Sequence, residues 1–460
     1  MNPKSTFAFT LPFYMKFTCV SILIIAAAFL GCGRSEKDVR EKIAAEMEKS
    51  LKSESLDKWY PQSIDTLYGG FLSSFSYDFK PTGEQEKMIV TQARHTWTNA
   101  KASARYPGVD YYKSGARHGF EFLKNVMWDK TYGGFFWLVD RKGHVKGDSS
   151  KTAYGNAFGI YALAAYFEVS HDSSALNLAR EAFMWLEKNS HDPKQKGYFQ
   201  HLQRNGTPTT RKPETPSTAD TGYKDQNSSI HLLEAFTELY QVWPDPLLRE
   251  RLHEMLLLIR DTITTRKGHL VLFLTPDWKP VLFADSSEAV ILKHRNLDHV
   301  SFGHDVETAY LMIEASHILG FTNDTTTQRI AKKMVDHALR NGWDNTVGGF
   351  YDEGYYFKNK GGISIIRDTK NWWAQAEGLN TLLLMSNLYP DDEMRYFSKF
   401  ETLWKYTDTY LIDHENGDWF AGGLDKQPEM KTALKGQIWK AFYHQYRSLA
   451  NCIDRLRTPH

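Results

Sequence analysis

The stretch SFGHDVETAY, residues 301–310, places a histidine and a glutamate three residues apart, at His304 and Glu307. If this stretch opens a helix, both side chains lie on one face of that helix. Histidine is well suited to moving protons near neutral pH, because its reference pKa is about 6.5. We therefore expect His304 to act as a general base and Glu307 to hold its imidazole in one tautomer.

Two further histidines stand in comparable settings. In NSSIHLLEA, Asn227 and His231 are spaced to share one helical face with a glutamate. In KGQIWKAFYHQYR, Trp439 precedes His444 by five residues, and an arginine follows at the i+3 position. Two histidines on opposite walls of a cavity could take a proton from one face of a carbon and return it to the other face.

The remaining candidates are polar or aromatic residues embedded in apolar helical patterns. Arg94 lies inside VTQARHTW, and its guanidinium needs either a structural ion-pair partner or a substrate, so both alternatives stay open. Tyr154 opens an apolar helix and either donates a hydrogen bond to a ligand or packs in the core. The stretch KNWWAQAEG contributes Trp372, Trp373 and Glu377, and its adjacent tryptophans face different directions on a helix.

Metal chemistry is not expected from these motifs. The H-x-x-E order occurs twice, whereas di-iron bundles use E-x-x-H and zinc proteases use H-E-x-x-H. The three cysteines, Cys19, Cys32 and Cys452, lack the spacing of a zinc or iron–sulfur site. We therefore expect neither a metal nor a cofactor.

A glycine–aromatic phrase recurs along the chain and sets the architecture. Its copies are YGGF at 68–71, YGGFFW at 132–137, KGYF at 196–199, a weaker KGHLVLF at 267–273, GGFY at 348–351 and GDWF at 417–420. An aspartate lies a few residues ahead of four copies, at Asp129, Asp192, Asp344 and Asp413. Between the copies, apolar residues recur at the three- and four-residue spacing of helices, which indicates six units of two helices each.

Six two-helix units can close into a ring of six inner and six outer helices. We expect an all-α fold: an (α/α)6 barrel, or toroid, of six helical hairpins with short extended glycine–aromatic hairpins between them. It should be one domain over residues 55–460. An open solenoid is the alternative, although its repeats are usually shorter, about 34 to 47 residues. In a closed ring, the ends of the inner helices would bring the candidate residues into one cavity.

The composition limits the partners. The 460 residues include 56 basic and 55 acidic side chains, a net charge of +1, so no nucleic acid is expected as a partner. Aromatic residues make up 14% of the chain, and aromatic faces both stack on sugar rings and fill cores. A small carbohydrate substrate is therefore compatible with the composition.

The N-terminus resembles a bacterial export signal. The apolar run 17–30 is shorter than the ~20 residues of a membrane span, and a small residue precedes Cys32. We expect residues 1–32 to be a lipoprotein-type signal sequence lipidated at Cys32, and 33–54 to be a charged linker. The chain would be an exported monomer in the periplasm or at the cell surface, touching the membrane only through its lipid. A plain signal peptide or uncleaved anchor is the alternative, and Met15 could be the true start.

The chain resembles the N-acylglucosamine 2-epimerase superfamily, and within it the cellobiose 2-epimerases. The resemblance covers nearly the whole mature chain and rests on six motifs in order: QARHTW, KTAYGNAF, NSSIHLLEA, SFGHDVETAY, KNWWAQAEG and KGQIWKAFYH. Asp305 is similar to the residue in the cellobiose enzymes, whereas Tyr310 stands where those enzymes commonly carry tryptophan.

This resemblance implies a barrel that epimerises or isomerises sugars at C2 without a metal, through a ring-opened sugar and a cis-enediolate. It implies that His304 and His444 are the acid–base pair and that His231 assists ring opening. It further implies that Arg94 binds the enediolate oxygens and that Glu307 is the glutamate beside the first histidine. The substrate-binding positions that we expect with it are Tyr154, Asn227, Trp372, Trp373, Glu377 and Trp439.

The reaction expected from the resemblance is inversion of C2 in the reducing-end glucose of a β-1,4-linked disaccharide, which converts cellobiose to glucosyl-mannose. Two alternatives on the same scaffold are an N-acylglucosamine 2-epimerase and an aldose–ketose (mannose) isomerase. A glycoside hydrolase would normally need two carboxylates flanking the scissile bond. A non-catalytic sugar-binding lipoprotein is the remaining alternative.

Overall fold

The computed structural model describes residues 36–458. Within this range, twelve long helices account for most of the fold. In chain order they are α1 Glu36–Leu51, α2 Ile89–Arg105, α3 Asp110–Phe122, α4 Ala153–Ser170, α5 Ser173–Asn189, α6 Gln226–Val242, α7 Pro246–Leu258, α8 Phe302–Ile318, α9 Thr325–Asn341, α10 Trp372–Leu388, α11 Tyr396–Tyr410 and α12 His444–Arg457.

Short helical segments and strands connect the long helices. The short helical segments are Lys52–Leu56, Asp57–Trp59, Leu123–Met127, Ile259–Ile263, Glu288–Lys293 and Pro428–Thr432. The strands are β1 Lys87–Met88, β2 Leu138–Val139, β3 Lys151–Thr152, β4 His201–Leu202, β5 Lys224–Asp225, β6 Phe273–Leu274, β7 Val300–Ser301, β8 Glu353–Tyr355 and β9 Ser364–Arg367. They pair antiparallel as β1–β2, β3–β4, β5–β6 and β7–β8–β9.

The helices form two concentric rings. The even-numbered helices α2 to α12 form the inner ring, where each packs on the next. Each outer helix packs on the inner helix that precedes it, and α1 packs on α12. The ring closes between α12 and α2, where the Tyr446 and Trp97 ring centroids lie 5.7 Å apart and Thr98 donates a 2.7 Å hydrogen bond to the Phe442 carbonyl. The predicted (α/α)6 barrel is confirmed, and the open solenoid is not.

Helix α1 corrects the expected start of the barrel. The sequence predicted a charged linker over 33–54, but Glu36–Leu51 forms an outer helix that packs on α12. The charged residues occupy the solvent side of this helix, so the high charge concealed an amphipathic pattern. The side chains that join the main core are Ile43, Ala44, Met47 and Leu51.

The expected signal sequence, residues 1–32 with Cys32, lies outside the described residues. Among the residues that the structure does describe, no helix combines the length and apolar character that crossing a bilayer requires.

The glycine–aromatic phrases form tight turns, and all but the weak copy at 267–273 are fastened by a buried ion pair. At Gly133 the backbone has φ +69°, and a Cβ atom there would lie 2.7 Å from the Trp185 side chain. The fully buried Lys151, at the start of β3, reaches Asp129 of this turn at 3.0 Å. The pair recurs as Lys87–Asp65, Lys224–Asp192, Lys370–Asp344 and Lys435–Asp413. The aspartates of these five turns therefore tie each of them to the segment that leads into an inner helix.

Candidate functional site

The N-terminal turns of the inner helices enclose a cavity of about 200 Å³. This catalytic cavity is lined by Arg94, Tyr154, Asn227, His231, His304, Glu307, Trp372, Trp373, Trp439 and His444. Every predicted catalytic or substrate-binding residue is therefore in the lining except Glu377, which is fully buried behind it.

The register of the inner helices explains why these residues meet. Arg94, His231, Glu307 and Glu377 are each the sixth residue of their helix, in α2, α6, α8 and α10. The outer helices return the chain each time, so the inner helices run parallel and equal positions lie at equal depth. The four side chains consequently form one layer around the barrel axis. Tyr154, the second residue of α4, lies nearer the helix N-termini.

His304 is held by Ser301 and not by Glu307. The Ser301 Oγ lies 2.8 Å from His304 Nδ1. Glu307 instead accepts a 2.6 Å hydrogen bond from Arg447 Nη2, because a guanidinium offers the stronger, charge-assisted bond. The prediction that Glu307 orients His304 was therefore wrong. With Nδ1 engaged by the hydroxyl, Nε2 of His304 is the ring nitrogen left for a substrate.

His444 is held by the carboxylate that the sequence had assigned to the sugar. Its Nδ1 lies 2.7 Å from Glu377 Oε1 and 3.8 Å from Glu307 Oε1. Because Glu377 contacts His444 from behind the lining, it acts on this histidine and does not contact a ligand in the cavity. Nε2 of His444 is left for a substrate.

Arg447 joins carboxylates from three inner helices. Its Nη2 lies 2.6 Å from both Glu307 and Glu377, and its Nη1 donates to Glu234. The side chain is only 3% exposed, so the three carboxyl groups depend on this guanidinium and not on water for hydrogen-bond donors. Sequence reasoning noted Arg447 only as the i+3 neighbour of His444. The sequence signal that could have identified Arg447 as a site residue is its place on the buried face of α12.

The same cluster holds the described residues that best match a metal site. Glu307, Glu377 and His444 each offer a ligand atom within 4.8 Å of the others. The Arg447 guanidinium, however, already contacts both carboxylates and supplies the positive charge at this point. The cluster therefore fits a support for His444 better than a cation site.

The third histidine has its own carboxylate. His231 Nδ1 lies 2.8 Å from Glu234 Oε2, which agrees with the shared helical face that the spacing predicted. The Tyr154 ring packs edge-on against the imidazole, with 5.1 Å between ring centroids. His231 is thereby fixed at the wall of the cavity with one ring nitrogen unoccupied.

Arg94 is held by neutral groups. Its Nη1 donates to the Trp439 carbonyl at 2.8 Å and its Nη2 to Tyr154 Oη at 3.4 Å. The guanidinium carbon lies 4.7 Å from the Phe158 ring centroid and 5.0 Å from that of Tyr443, the distances of cation–π contacts. Among the described residues no carboxylate forms an ion pair with it, which favours a substrate contact over a structural ion pair.

Tryptophans form the remaining wall and the mouth. Trp373 packs on both candidate acid–base residues, with its ring centroid 4.7 Å from that of His304 and 5.9 Å from that of His444. Trp439 is 45% exposed, and its ring centroid lies 5.9 Å from that of Trp137. Sequence reasoning missed Trp137, although it ends the second glycine–aromatic phrase.

Burial determines where the protons of the site reside. It lowers the pKa of His304 to about 3 and holds the pKa values of His231 and His444 well below the usual range. It also raises the pKa of Glu307 to about 8 and that of Glu377 well above its usual value. Both shifts favour a proton on Glu377 over one on His444 Nδ1, and His444 then carries its N–H at Nε2.

The two positions used to compare this chain with cellobiose enzymes lie outside the cavity lining. Asp305 is fully buried and accepts the Leu270 backbone N–H at 2.9 Å. Tyr310 Oη accepts a 3.2 Å hydrogen bond from Asn451 Nδ2, and the Tyr310 ring centroid lies 5.7 Å from the Arg447 guanidinium carbon. Neither side chain can contact a sugar directly, so neither decides the substrate by contact.

Comparison with known proteins agrees with this geometry. A family model described as N-acylglucosamine 2-epimerase (GlcNAc 2-epimerase) matches residues 69–448. The chain belongs to the N-acylglucosamine 2-epimerase family. It is 27% identical over 428 residues to the cellobiose 2-epimerase of Bacteroides fragilis. The aligned region covers 90% of this chain and 99% of that protein.

Two further proteins are similar to this chain over the same extent. The D-mannose isomerase of Marinomonas mediterranea is 24% identical over 428 residues, 92% of this chain and 98% of that protein. The structure of the cellobiose 2-epimerase from Spirochaeta thermophila has a TM-score of 0.78 at 28% identity, covering 92% of this chain and 99% of that chain. The similarity therefore extends over the whole barrel and supports an epimerase or isomerase enzyme.

Proposed function

We propose that this chain is a sugar 2-epimerase that uses His304 as the base and His444 as the acid. The observation that carries the proposal is the unequal support of the two histidines on either side of Trp373. His304 contacts a neutral hydroxyl, whereas His444 contacts a fully buried carboxyl group whose pKa is held well above its usual value by burial. One neutral base and one proton donor at the same cavity are what inversion of a carbon centre requires.

Proton removal begins on the ring-opened sugar. His231 is placed to move the ring-opening proton between the ring oxygen and O1. With its Nδ1–H donated to Ser301, the neutral His304 accepts the C2 proton at Nε2. The electron pair of the broken C2–H bond forms the C1–C2 double bond of an enediolate, and negative charge moves to O1.

The developing negative charge meets two sources of positive potential. Arg94 has no carboxylate partner among the described residues, so its full charge is available to the enediolate oxygens. The inner helices also direct their N-termini, the positive ends of their dipoles, towards the cavity. Both features are fixed before the reaction, so they stabilise the intermediate without reorganisation.

Reprotonation completes the inversion. Rotation about C2–C3 presents the other face of C2, and His444 donates its Nε2 proton to the carbon. At the same time His444 Nδ1 takes the proton of Glu377, and Arg447 stabilises the carboxylate that results. His304 is then protonated and Glu377 ionised, and proton exchange with solvent restores the resting state.

The substrate that we propose is a β-1,4-linked disaccharide such as cellobiose. Ligand pockets usually measure about 300–1,000 Å³, so the catalytic cavity of about 200 Å³ accepts little more than the reducing-end sugar. The second sugar would then lie at the mouth, where Trp439 offers an exposed aromatic face. The cellobiose 2-epimerases among the relatives support this choice.

The alternatives differ in where the proton returns or which sugar enters. Protonation at C1 in place of C2 would give a ketose, the reaction suggested by the name of the D-mannose isomerase relative. An N-acylglucosamine would need the 2-acylamino group to fit beside His304. Hydrolysis fits less well, since Glu307 is the one carboxylate among the described lining residues and it is bound by Arg447.

The decisive experiment follows the C2 proton of cellobiose in D2O by NMR, with the full chain as enzyme. Mannose and N-acetylglucosamine are measured in parallel. The proposal predicts deuterium at C2 of cellobiose and the appearance of a mannose-type reducing end. Exchange confined to mannose or N-acetylglucosamine would show that cellobiose is not the substrate and would assign that sugar in its place. The absence of exchange in all three sugars, or the release of glucose, would overturn the assignment as an epimerase.

We also propose that the chain is exported as a lipoprotein monomer. The apolar run 17–30 followed by Cys32 supports this location. Substitution Cys32→Ser should move the protein from the membrane fraction to the soluble fraction, and light scattering should give the mass of one chain. Equal membrane retention of the variant would contradict the lipid anchor.

A further inference from the structure

One unit of the barrel lacks the ion pair that fastens the others. Val300 starts β7 at the position where Lys87, Lys151 and Lys224 start β1, β3 and β5. In the turn that this segment meets, Thr265 replaces the aspartate, and its N–H donates to the His269 carbonyl to close a turn one residue shorter. Both charged side chains are thus absent, and Thr265 and Val300 line a cavity instead.

Two neighbouring segments wall this cavity. Segment 281–299, which contains the short helix Glu288–Lys293, precedes β7, and the β8–β9 hairpin covers it from the other side. Ile291, Tyr355 and Phe357 join the two segments in a small apolar cluster that is separate from the main core. In place of an internal ion pair, the unit therefore has an open cavity walled by these two segments.

This cavity, which we call the hairpin cavity, has a volume of about 640 Å³. This lies within the range of about 300–1,000 Å³ that small-molecule sites occupy. It shares no lining residue with the catalytic cavity. Its apolar wall is formed mainly by Leu270, Leu272, Leu282, Val300, Tyr355 and Phe357.

The rim of the hairpin cavity carries positive charge without a matching negative charge. Lys358 and Lys360 pair with Asp285 and Glu288, but Arg266 and Lys267 have no carboxylate partner among the described residues. Lys267 rests on an aromatic ring instead, with its Nζ 3.5 Å from the Tyr356 ring centroid. Arg266 and Lys267 are exposed and can turn towards a ligand.

Among the described residues that line the hairpin cavity, the one carboxylate is already engaged. Asp298 accepts hydrogen bonds from the Phe283 N–H at 2.7 Å and from Tyr355 Oη at 2.8 Å. Burial raises the pKa of this carboxyl group, which weakens its negative charge further. The cavity therefore combines an apolar interior with an uncompensated cationic rim.

We propose that the hairpin cavity is a second binding site, for a small anion that carries an aromatic ring. The ring would occupy the apolar interior, which Val300 lines in place of a lysine. The phosphate, sulfonate or carboxylate group would bind Arg266 and Lys267 at the rim, since an anion gains charge-assisted hydrogen bonds from both. This proposal does not depend on the reaction at the catalytic cavity.

Fluorescence titration of the full chain with 8-anilinonaphthalene-1-sulfonate tests the site, with neutral N-phenyl-1-naphthylamine as the matched probe. The double variant Arg266→Gln/Lys267→Gln should weaken binding of the sulfonate about tenfold and leave the neutral probe unchanged. The variant Thr265→Asp/Val300→Lys, which restores the ion pair of the other units, should abolish binding of both probes. Lys194→Gln/Lys196→Gln, in the turn of the preceding unit, is the control and should behave as wild type.

Competition defines the ligand class. Phenyl phosphate should displace the bound sulfonate at concentrations at least tenfold below those needed for inorganic phosphate or phenol, and cellobiose should not displace it. Sulfonate binding that is equal in wild type and in the Arg266→Gln/Lys267→Gln variant would overturn the proposal. Displacement by phosphate as effective as that by phenyl phosphate would also overturn it, because the apolar interior would then contribute nothing.

Discussion

The substitution Glu377→Gln tests the acid side of the proposed mechanism. It keeps the size of the side chain, and its amide can still donate a hydrogen bond to His444 Nδ1. It cannot release a proton to that nitrogen, so His444 cannot replace the proton that it gives to the sugar. Because Glu377 lies behind the cavity lining, the sugar should bind the variant as it binds wild type.

The expected decrease in kcat follows from the interaction that Glu377→Gln removes. The 2.7 Å bond between His444 and Glu377 becomes charge-assisted when the proton moves, and hydrogen bonds to charged groups contribute about 1.5–3 kcal/mol. At about 1.4 kcal/mol for each factor of ten, kcat should fall roughly 10- to 150-fold. KM should stay within about twofold of wild type, since the interaction is made in the transition state and not with the bound sugar.

The assay measures initial rates of epimerisation by NMR at several cellobiose concentrations. Glu238→Gln is the matched control, because it removes a carboxylate of α6 that pairs with Lys101, away from the cavity lining. Thermal unfolding of each variant shows whether the barrel is intact. An unchanged kcat in Glu377→Gln would refute proton transfer from Glu377 to His444. If KM were also raised, the result would instead support the contact between Glu377 and the sugar that was predicted from the sequence.

Three further predictions address the other supports of the site. Ser301→Ala removes one neutral hydrogen bond from His304 and should lower kcat roughly 2- to 10-fold, whereas unchanged kinetics would leave His304 without a defined orienting group. Arg447→Met removes the buried cation that contacts three carboxyl groups and should lower the free energy of unfolding in urea by about 3–5 kcal/mol. A loss below 1 kcal/mol would contradict the role of Arg447 in holding these groups together. The third prediction concerns pH. Burial lowers the pKa of His304 in the folded chain to about 3, so between pH 6.5 and pH 3 mainly the unfolded chain takes up this proton. The free energy of unfolding therefore decreases as the pH falls through this range. Between pH 6.5 and pH 5, wild type should lose about 1.5 kcal/mol more than His304→Gln, and parallel curves would contradict a neutral buried imidazole.

Much of the barrel could be predicted from the sequence, because the repeated residues have structural roles in the turns. The glycine–aromatic phrase marks a turn that needs positive φ at glycine, and the aspartate ahead of it marks the ion pair that fastens the turn. Asp65 was overlooked in the first copy, although it pairs with Lys87 at 2.9 Å in the same way. The weak copy at 267–273 was recognisable as degenerate, and the structure relates that degeneracy to a cavity.

The positions of the site residues could be predicted, but their pairings could not. Helical periodicity put His304, Glu307 and His444 at one cavity, because residues in the first turns of parallel inner helices must converge. It could not show that Glu307 turns towards Arg447 of another helix, since that contact depends on the distance between α8 and α12 in the closed ring. Glu377 was misassigned for the same reason.

The beginning of the barrel was misjudged because charge density was taken as a sign of a linker. In α1 the apolar residues recur along one face, and the partner that buries them, α12, is the last helix in the chain. A contact between the two ends of the described chain has no local signal. Only closure of the ring reveals it.

The central claim is that two histidines act on opposite faces of C2, and deuterium exchange by the single variants tests it most directly. In D2O, His444→Gln should still exchange the C2 proton of the glucose-type sugar. His304→Gln should exchange that of the mannose-type sugar, because in the reverse reaction Glu377 is ionised and His444 Nε2 is the base. Neither variant should interconvert the two sugars at more than about one-hundredth of the wild-type rate. Epimerisation at a near-normal rate by either variant would contradict the two-histidine mechanism.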